Sequence, residues 1–181
     1  MAQFGFLYDQ TRCIGCNACQ IACKDQNNLE NGMVFRRVVT VEDHGFMHYS
    51  GACNHCKDAA CVKACPTGAM HYREDGTVGH DREKCIGCGT CTWACPYGAP
   101  KLSHKYGTAM KCTSCYPRRK EGKQPFCVEA CVTHCLEFRD LDALTPEEEK
   151  GLVRELDILP EASKTQPSLR IRKKKQEICY E

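Results

Sequence analysis

The chain is 181 residues long, carries a formal net charge of +2, and contains eighteen cysteines. That length allows one domain or two small ones. No run of about 18 consecutive apolar residues occurs, so no transmembrane helix is encoded. The opening MAQFGFLYDQTRC lacks the charged and apolar regions of a signal peptide, and no export address is expected on the chain itself. The apolar fraction of 42% overstates the core, because it counts cysteine.

In chain order, Phe4, Phe6 and Tyr8 alternate with other residues, as in a half-buried strand. A first cysteine group follows: Cys13, Cys16, Cys19 and Cys23 in CIGCNACQIAC. The β-branched segment MVFRRVVTV (33–41) predicts a strand. With FMHYS (46–50) it forms an insertion of about thirty residues, long for a passive loop. The second group is Cys53, Cys56, Cys61 and Cys65 in CNHCKDAACVKACP. His71 and Tyr72 then lead into Asp75-Gly76, a two-residue hairpin signal. The third group is Cys85, Cys88, Cys91 and Cys95 in CIGCGTCTWACP. The fourth is looser, with Cys112 and Cys115 in CTSC and Cys127 and Cys131 in CVEAC. Further on, Thr145 reads as a helix N-cap, Pro146 as N1 and Glu148 as the reciprocal capping-box residue. Leu152, Val153 and Leu156 would give that helix an apolar face. From Pro160 the chain reads as an extended tail. Its basic run RIRKKK (170–175) would dock on a partner or on anionic lipid, or simply be solvated.

Sixteen of the eighteen cysteines thus fall into four groups of four. A disulfide framework belongs with a secretory signal, which is not seen. Structural zinc uses two separated C-x2-C pairs and needs neither a third cysteine at +6 nor a C-P at +10. The run C-x2-C-x2-C-x3-C-P is the ligand signature of bacterial ferredoxins, whose thiolates hold [4Fe–4S] clusters. Four groups therefore predict four [4Fe–4S] clusters and a protein that moves electrons. Sixteen thiolates and four oxidised cores would bring the net charge to about −6, so the basic residues compensate buried anions rather than bind nucleic acid.

The spacing suits a cubane. Three close cysteines on a tight loop cap three irons, with Gly15, Gly87 and Gly89 letting the loop curl. Backbone N–H groups of such a loop point at the anionic cluster. The fourth cysteine starts a helix leading away, and Pro66 and Pro96 set the turn after it. Ile14, Ile86 and Trp93 are expected to shield clusters from water, or for Trp93 simply to pack in the core. His55 is expected at the surface or beside a ligand rather than on iron.

In two-cluster ferredoxins the fourth cysteine ligates the other cluster. Residues 53–96 read as one such module, leaving groups one and four to pair around it. Carried over from ferredoxins, the crossed sharing gives Cys53, Cys56, Cys61 and Cys95 to one cluster, and Cys85, Cys88, Cys91 and Cys65 to its neighbour. Cys13, Cys16, Cys19 and Cys131 hold a third; Cys112, Cys115, Cys127 and Cys23 a fourth. The fold expected is α+β: an outer split ferredoxin-like module (1–52 and 97–140), nested around an inner one (53–96), with a C-terminal helix and tail (141–181).

The blocks QFGFLYDQTRCIGCNACQIACKD, CNHCKDAACVKACPTGAMHYREDG, CIGCGTCTWACPYGAP and KCTSCYPRRKEGKQPFCVEAC, spread over roughly residues 3–140, are together highly specific. They resemble the four-cluster iron–sulfur subunits of the molybdopterin oxidoreductase superfamily, above all those of dimethyl sulfoxide reductases. The resemblance implies a large molybdopterin-containing catalytic subunit as partner, a membrane anchor exchanging electrons with quinol, and export with a catalytic partner where export occurs. It implies no catalysis by this polypeptide alone. Cys88 stands where the nitrate reductase branch has tryptophan, so a [4Fe–4S] centre is expected there. Family members typically read C-P-T-G-A after the last ligand, whereas this sequence has Cys131-Val132-Thr133-His134-Cys135. Spacing from Cys127 favours Cys131 as ligand, with Cys135 either its replacement or a buried inert thiol. Cys179 is expected to be a free thiol. The alternative is a free-standing polyferredoxin or an accessory carrier of formate and hydrogen metabolism. No nucleotide-binding loop or nucleophile–base arrangement is present.

Because metal binding contributes directly to folding in such proteins, chelating the iron is expected to leave a largely unfolded polypeptide. A native-like circular dichroism spectrum after chelation would contradict this.

Overall fold

The computed structural model describes residues 2–41 and 47–174. Strand β1 (Phe4–Asp9) turns Phe6 and Tyr8 inward, as the alternation predicts. Helix α1 (Ala18–Gln26) buries Cys19 and Cys23. Strands β2 (Arg37–Val41) and β3 (Met47–Gly51) form an antiparallel hairpin. The strand expected over 33–41 is thus shorter. Met33, Phe35 and Arg36 turn into the interior instead of pairing, and Phe46 lies outside the described residues.

Helix α2 (Ala60–Lys63) is followed by the hairpin of β4 (Met70–Tyr72) and β5 (Val78–His80). Its loop is longer than the two residues expected. The Arg73 N–H donates to Thr77 O at 2.8 Å and the Gly76 N–H to Arg73 O at 3.0 Å. Gly76, at φ 74°, supplies the left-handed residue that closes such a turn. Helix α3 (Thr90–Ala94) packs on α2. A small hairpin of β6 (Lys101–Leu102) and β7 (Ala109–Met110) precedes α4 (Tyr116–Lys120) and α5 (Phe126–Glu129), and α5 packs on α1.

Strand β8 (Leu136–Asp140) pairs antiparallel with β1, and Phe6 and Phe138 meet edge-on at 4.8 Å. Helix α6 (Pro146–Glu149) has the predicted capping box, Thr145 with Glu148. It is a single turn, however. Gly151 at φ 77° ends it, and Leu152 and Val153 form strand β9 instead of a helical apolar face. The tail is likewise not a free basic appendage over 170–172. Strand β10 (Leu169–Arg172) lies between β1, its parallel neighbour, and β9, completing the order β8-β1-β10-β9. Ile171 is fully buried there, and the Arg170 guanidinium pairs with Glu149 at 2.9 Å. Alternation of Leu169 and Ile171 with arginine is a strand pattern that the charge run conceals. Residues 175–181, with Cys179, lie outside the described set.

Buried apolar residues gather in two clusters. One joins Phe6, Tyr8, Leu29 and Phe35 to Leu136, Phe138 and Ile171; the other joins Ala59, Met70, Val78 and Ala109. Both incorporate cysteines, so the thiols are part of the core rather than an addition to it. The turn at Asp75 ties the two regions together. Its carboxylate accepts from Thr77 and from the Arg119 guanidinium at 2.6 Å, while Arg119 stacks over Phe138 at 4.6 Å. Burial pushes the Asp75 carboxyl up, but the Thr77 and Arg119 hydrogen bonds outweigh it and hold it below the usual carboxylate range.

Ile171→Ala is expected to cost about 2–5 kcal/mol, seen as a lowered thermal midpoint, with Arg172→Ala as a near-neutral control. A depressed carboxylate stabilises above its unfolded pKa, and that stability is lost as pH falls through the folded value. Asp75→Asn should therefore lower the midpoint at pH 7, with the deficit shrinking below about pH 4. A deficit independent of pH would contradict the link.

Candidate metal centres

Each of the four C-x-x-C loops has a left-handed residue just before its second cysteine: Gly15 (φ 69°), His55 (43°), Gly87 (70°) and Ser114 (54°). This conformation turns neighbouring N–H groups toward one side and makes an anion-facing nest. Glycine makes it easy at two of the loops. Gly87 has a second reason, since a Cβ there would stand 2.2 Å from the Gly107 carbonyl oxygen. His55 and Ser114 are not recognisable as turn residues from sequence. His55 is fully buried rather than at the surface, and its Nδ1 accepts the Val78 N–H at 3.1 Å. Burial drives its imidazole well below its ordinary pKa.

One cavity is walled by Cys53, Cys56, Cys61 and Cys95, with Asn54, Ala59, Val78 and Tyr97. Burial, then the neighbouring thiols, pushes Cys56 and Cys61 up to about 12. A second cavity is walled by Cys23, Cys112, Cys115 and Cys127 with Phe6, Phe35 and Arg36. Cys23 is raised to about 12 by burial and by Cys127. Cys65, Cys85 and Cys88 surround Cys91, which burial and these three thiols raise. Cys13 and Cys19 come together with Cys131 and Cys135, while Cys16 is exposed on the same loop. Among the described residues no three Cys, His, Asp or Glu groups converge tightly enough to ligate a single ion. The thiols instead stand around spaces, and an all-thiol donor set of this kind suits an iron–sulfur cluster.

Two other features fit an anionic group. Backbone N–H groups donate to thiol sulfur at Cys65 (from Met70, 3.4 Å), Cys85 (from Ala109, 3.4 Å), Cys112 (from Ser114, 3.4 Å) and Cys131 (from Cys135, 3.3 Å). Arg36, 1% exposed, lines the second cavity with its Nε and Nη2 unpartnered, although Nη1 donates to Ser50. A buried charge left unpaired is costly; an anion in that cavity resolves it.

The turn after Cys131 follows the same path as its glycine-containing counterparts. The Gly68 N–H reaches Cys65 O at 3.4 Å, the Gly98 N–H reaches Cys95 O at 3.0 Å, and the His134 N–H reaches Cys131 O at 3.0 Å. His134 takes the left-handed conformation at φ 49° beside 65° and 58° at the two glycines. Thr67 and Thr133 sit 3.8 Å from the sulfurs of Cys65 and Cys131. Cys131 therefore holds the position of Cys65. The buried Cys135 thiol lies 3.4 Å from Cys131 and also bonds Cys13, which raises its own pKa and lowers that of Cys13.

Ile14, Ile86 and Trp93 do not shield the loops as expected. They are 61%, 68% and 90% exposed, Ile14 and Ile86 on the loops that carry the exposed Cys16 and Cys88, and Trp93 on α3 just after the second of these.

Residues 45–141 match the 4Fe-4S dicluster domain family, and residues 10–27 a 4Fe-4S binding domain. A probable anaerobic dimethyl sulfoxide reductase component of Escherichia coli K12 is 44% identical, over 94% of this protein and 88% of the relative. The B component of anaerobic dimethyl sulfoxide reductase from the same strain is 43% identical over the same shares. The formate dehydrogenase iron-sulfur subunit of Wolinella succinogenes is 38% identical, over 80% of this protein and 84% of its own length.

Gly87→Ala should strain the third loop both at φ and against Gly107. Iron retention per chain is expected to fall; unchanged iron would contradict the loop's role.

Proposed function

Because the protein belongs to the 4Fe-4S dicluster family of iron–sulfur electron-transfer subunits, we propose that it holds four [4Fe–4S] clusters in series between a molybdopterin-bearing catalytic subunit and a second redox partner. It is an iron–sulfur subunit of a multi-subunit oxidoreductase of anaerobic respiration and does no substrate chemistry alone. The proposed ligand sets are Cys13, Cys16, Cys19 and Cys131; Cys23, Cys112, Cys115 and Cys127; Cys53, Cys56, Cys61 and Cys95; and Cys65, Cys85, Cys88 and Cys91. The observation that carries this reading is that thiols from two separate segments wall one cavity, twice over.

Neighbouring thiols suggest the order of the series. Cys19 feels Cys127, Cys112 feels both Cys23 and Cys53, and Cys61 feels Cys91. The line then runs from the Cys13 set through the Cys23 and Cys53 sets to the Cys65 set, with an exposed cysteine at each end. Each cluster supplies a one-electron centre, whose potential protein surroundings set over a wide range. The loops and N–H donors hold thiolates in place and favour their charged form. Phe6, Phe35, Val78 and Ala59 exclude water from the middle of the line.

The exposed apolar residues at the two ends, Ile14 and Ile21 with Val132 beside Cys131, and Ile86 and Trp93 around Cys88, support two docked partners rather than a free-standing polyferredoxin. No described helix is long and apolar enough to cross a membrane; a separate membrane anchor, exchanging electrons with quinol, is the second partner proposed. The relatives support an assembly of the dimethyl sulfoxide reductase type, with formate dehydrogenase the second type.

The Cys131 assignment is tested by two variants of the purified complex. Cys131→Ser is expected to lose or convert one cluster in the electron paramagnetic resonance spectrum, and Cys135→Ser to keep all four. The reverse outcome makes Cys135 the ligand. Loss of nothing in both variants counts against the cluster at that site.

A further inference from the structure

Lys111 precedes Cys112, yet its side chain runs inward and is 2% exposed. Its Nζ donates to the Val78 carbonyl at 2.6 Å, the Cys112 carbonyl at 2.8 Å and the Cys53 thiol at 3.7 Å. Three acceptors match the three protons of an ammonium group, with no carboxylate among them. A buried ammonium whose protein partners are neutral carbonyls and a thiol is costly unless a counter-charge lies near. The groups that sense it include Cys61, Cys112, His55 and His80. It therefore stands between the cavity of Cys53, Cys56, Cys61 and Cys95 and the Cys112 thiol of the next cavity. Lys111 touches Cys53 and Cys112 of one core cluster of the fold and Val78 of the other.

We propose that Lys111 is the fixed counter-charge at this junction, and that it raises the reduction potentials of the two clusters flanking it. The inference rests on the ligand sets proposed above. One electron arriving on either side adds one negative charge. The ammonium already in place attracts that charge, so the reduced form is favoured without a proton having to enter a buried site. A neutral side chain would leave the two inner stations harder to reduce and turn the middle of the line into a barrier. The junction between the Cys53 and Cys65 sets has no such residue: among the described residues, the buried cationic side chains are Arg36, Lys111 and Arg170.

The test is a redox titration of the intact complex followed by electron paramagnetic resonance, on wild type, Lys111→Met, Lys111→Arg and the surface control Lys123→Met. Wild type carrying zinc, or well short of four clusters, would defeat the ligand reading itself before any variant is compared. With full iron, Lys111→Met is expected to lower the reduction equilibrium of two of the four clusters tenfold or more, 59 mV per tenfold step for one electron. Lys111→Arg should stay within about threefold of wild type on the same scale, and Lys123→Met should not move. Four unmoved midpoints in Lys111→Met overturn the proposal, as do equal shifts in Met and Arg, which would mean packing rather than charge. If Lys111→Met loses iron, retention in Lys111→Arg supports the charge requirement, and loss in both overturns it.

Discussion

Four thiols must converge on one buried space from two distant stretches of sequence, and the rest of the structure follows from that requirement. Burial and mutual repulsion both push such thiols up, to about 12 at Cys23, Cys56 and Cys61. Left to themselves they would stay protonated at neutral pH. Loading a metal cluster has to expel those protons, so it is coupled to folding and to every positive feature nearby. Left-handed loop residues, inward N–H groups and the buried Arg36 and Lys111 are such positive features. Little else holds the core. The strands are short, helices α2 to α6 run four or five residues, and cysteines belong to both apolar clusters.

The sheet and the tail frame these cavities. Strand β1 leads into the first loop, β8 leaves the last, and their pairing through Phe6 and Phe138 fixes those two loops together. The segment after α6 is woven back in. Ser168 N–H donates to Asn54 O at 2.9 Å and Asp58 N–H to Thr165 O at 3.0 Å, so the C-terminal stretch braces the second loop. Asp75 and Arg119 perform the same service from the other side. A relay needs fixed distances more than it needs a large core, and these ties supply them.

Much of this is legible in the sequence, because the chemistry imposes spacing and spacing is visible. The first three groups, the α1 cysteines, the strand at Phe4 to Tyr8 and the Thr145 capping box follow from local rules. What stays hidden depends on conformation or on long-range pairing. His55, Ser114 and His134 stand in for glycine at left-handed positions, and their side chains do not announce it. Strand β10 is concealed inside a basic run, since only its neighbours β1 and β9 make Ile171 a core residue. Trp93 is expected to shield a cluster or pack in the core, and it stands exposed on α3 instead.

The central claim is that sixteen thiols serve four clusters and not single metal ions or disulfides. The most direct measurement is iron and acid-labile sulfide per subunit in the anaerobically purified complex, corrected for the catalytic subunit. The account predicts about sixteen of each from this subunit, with cluster-type Mössbauer spectra. Eight or fewer, or zinc in place of iron, would contradict it.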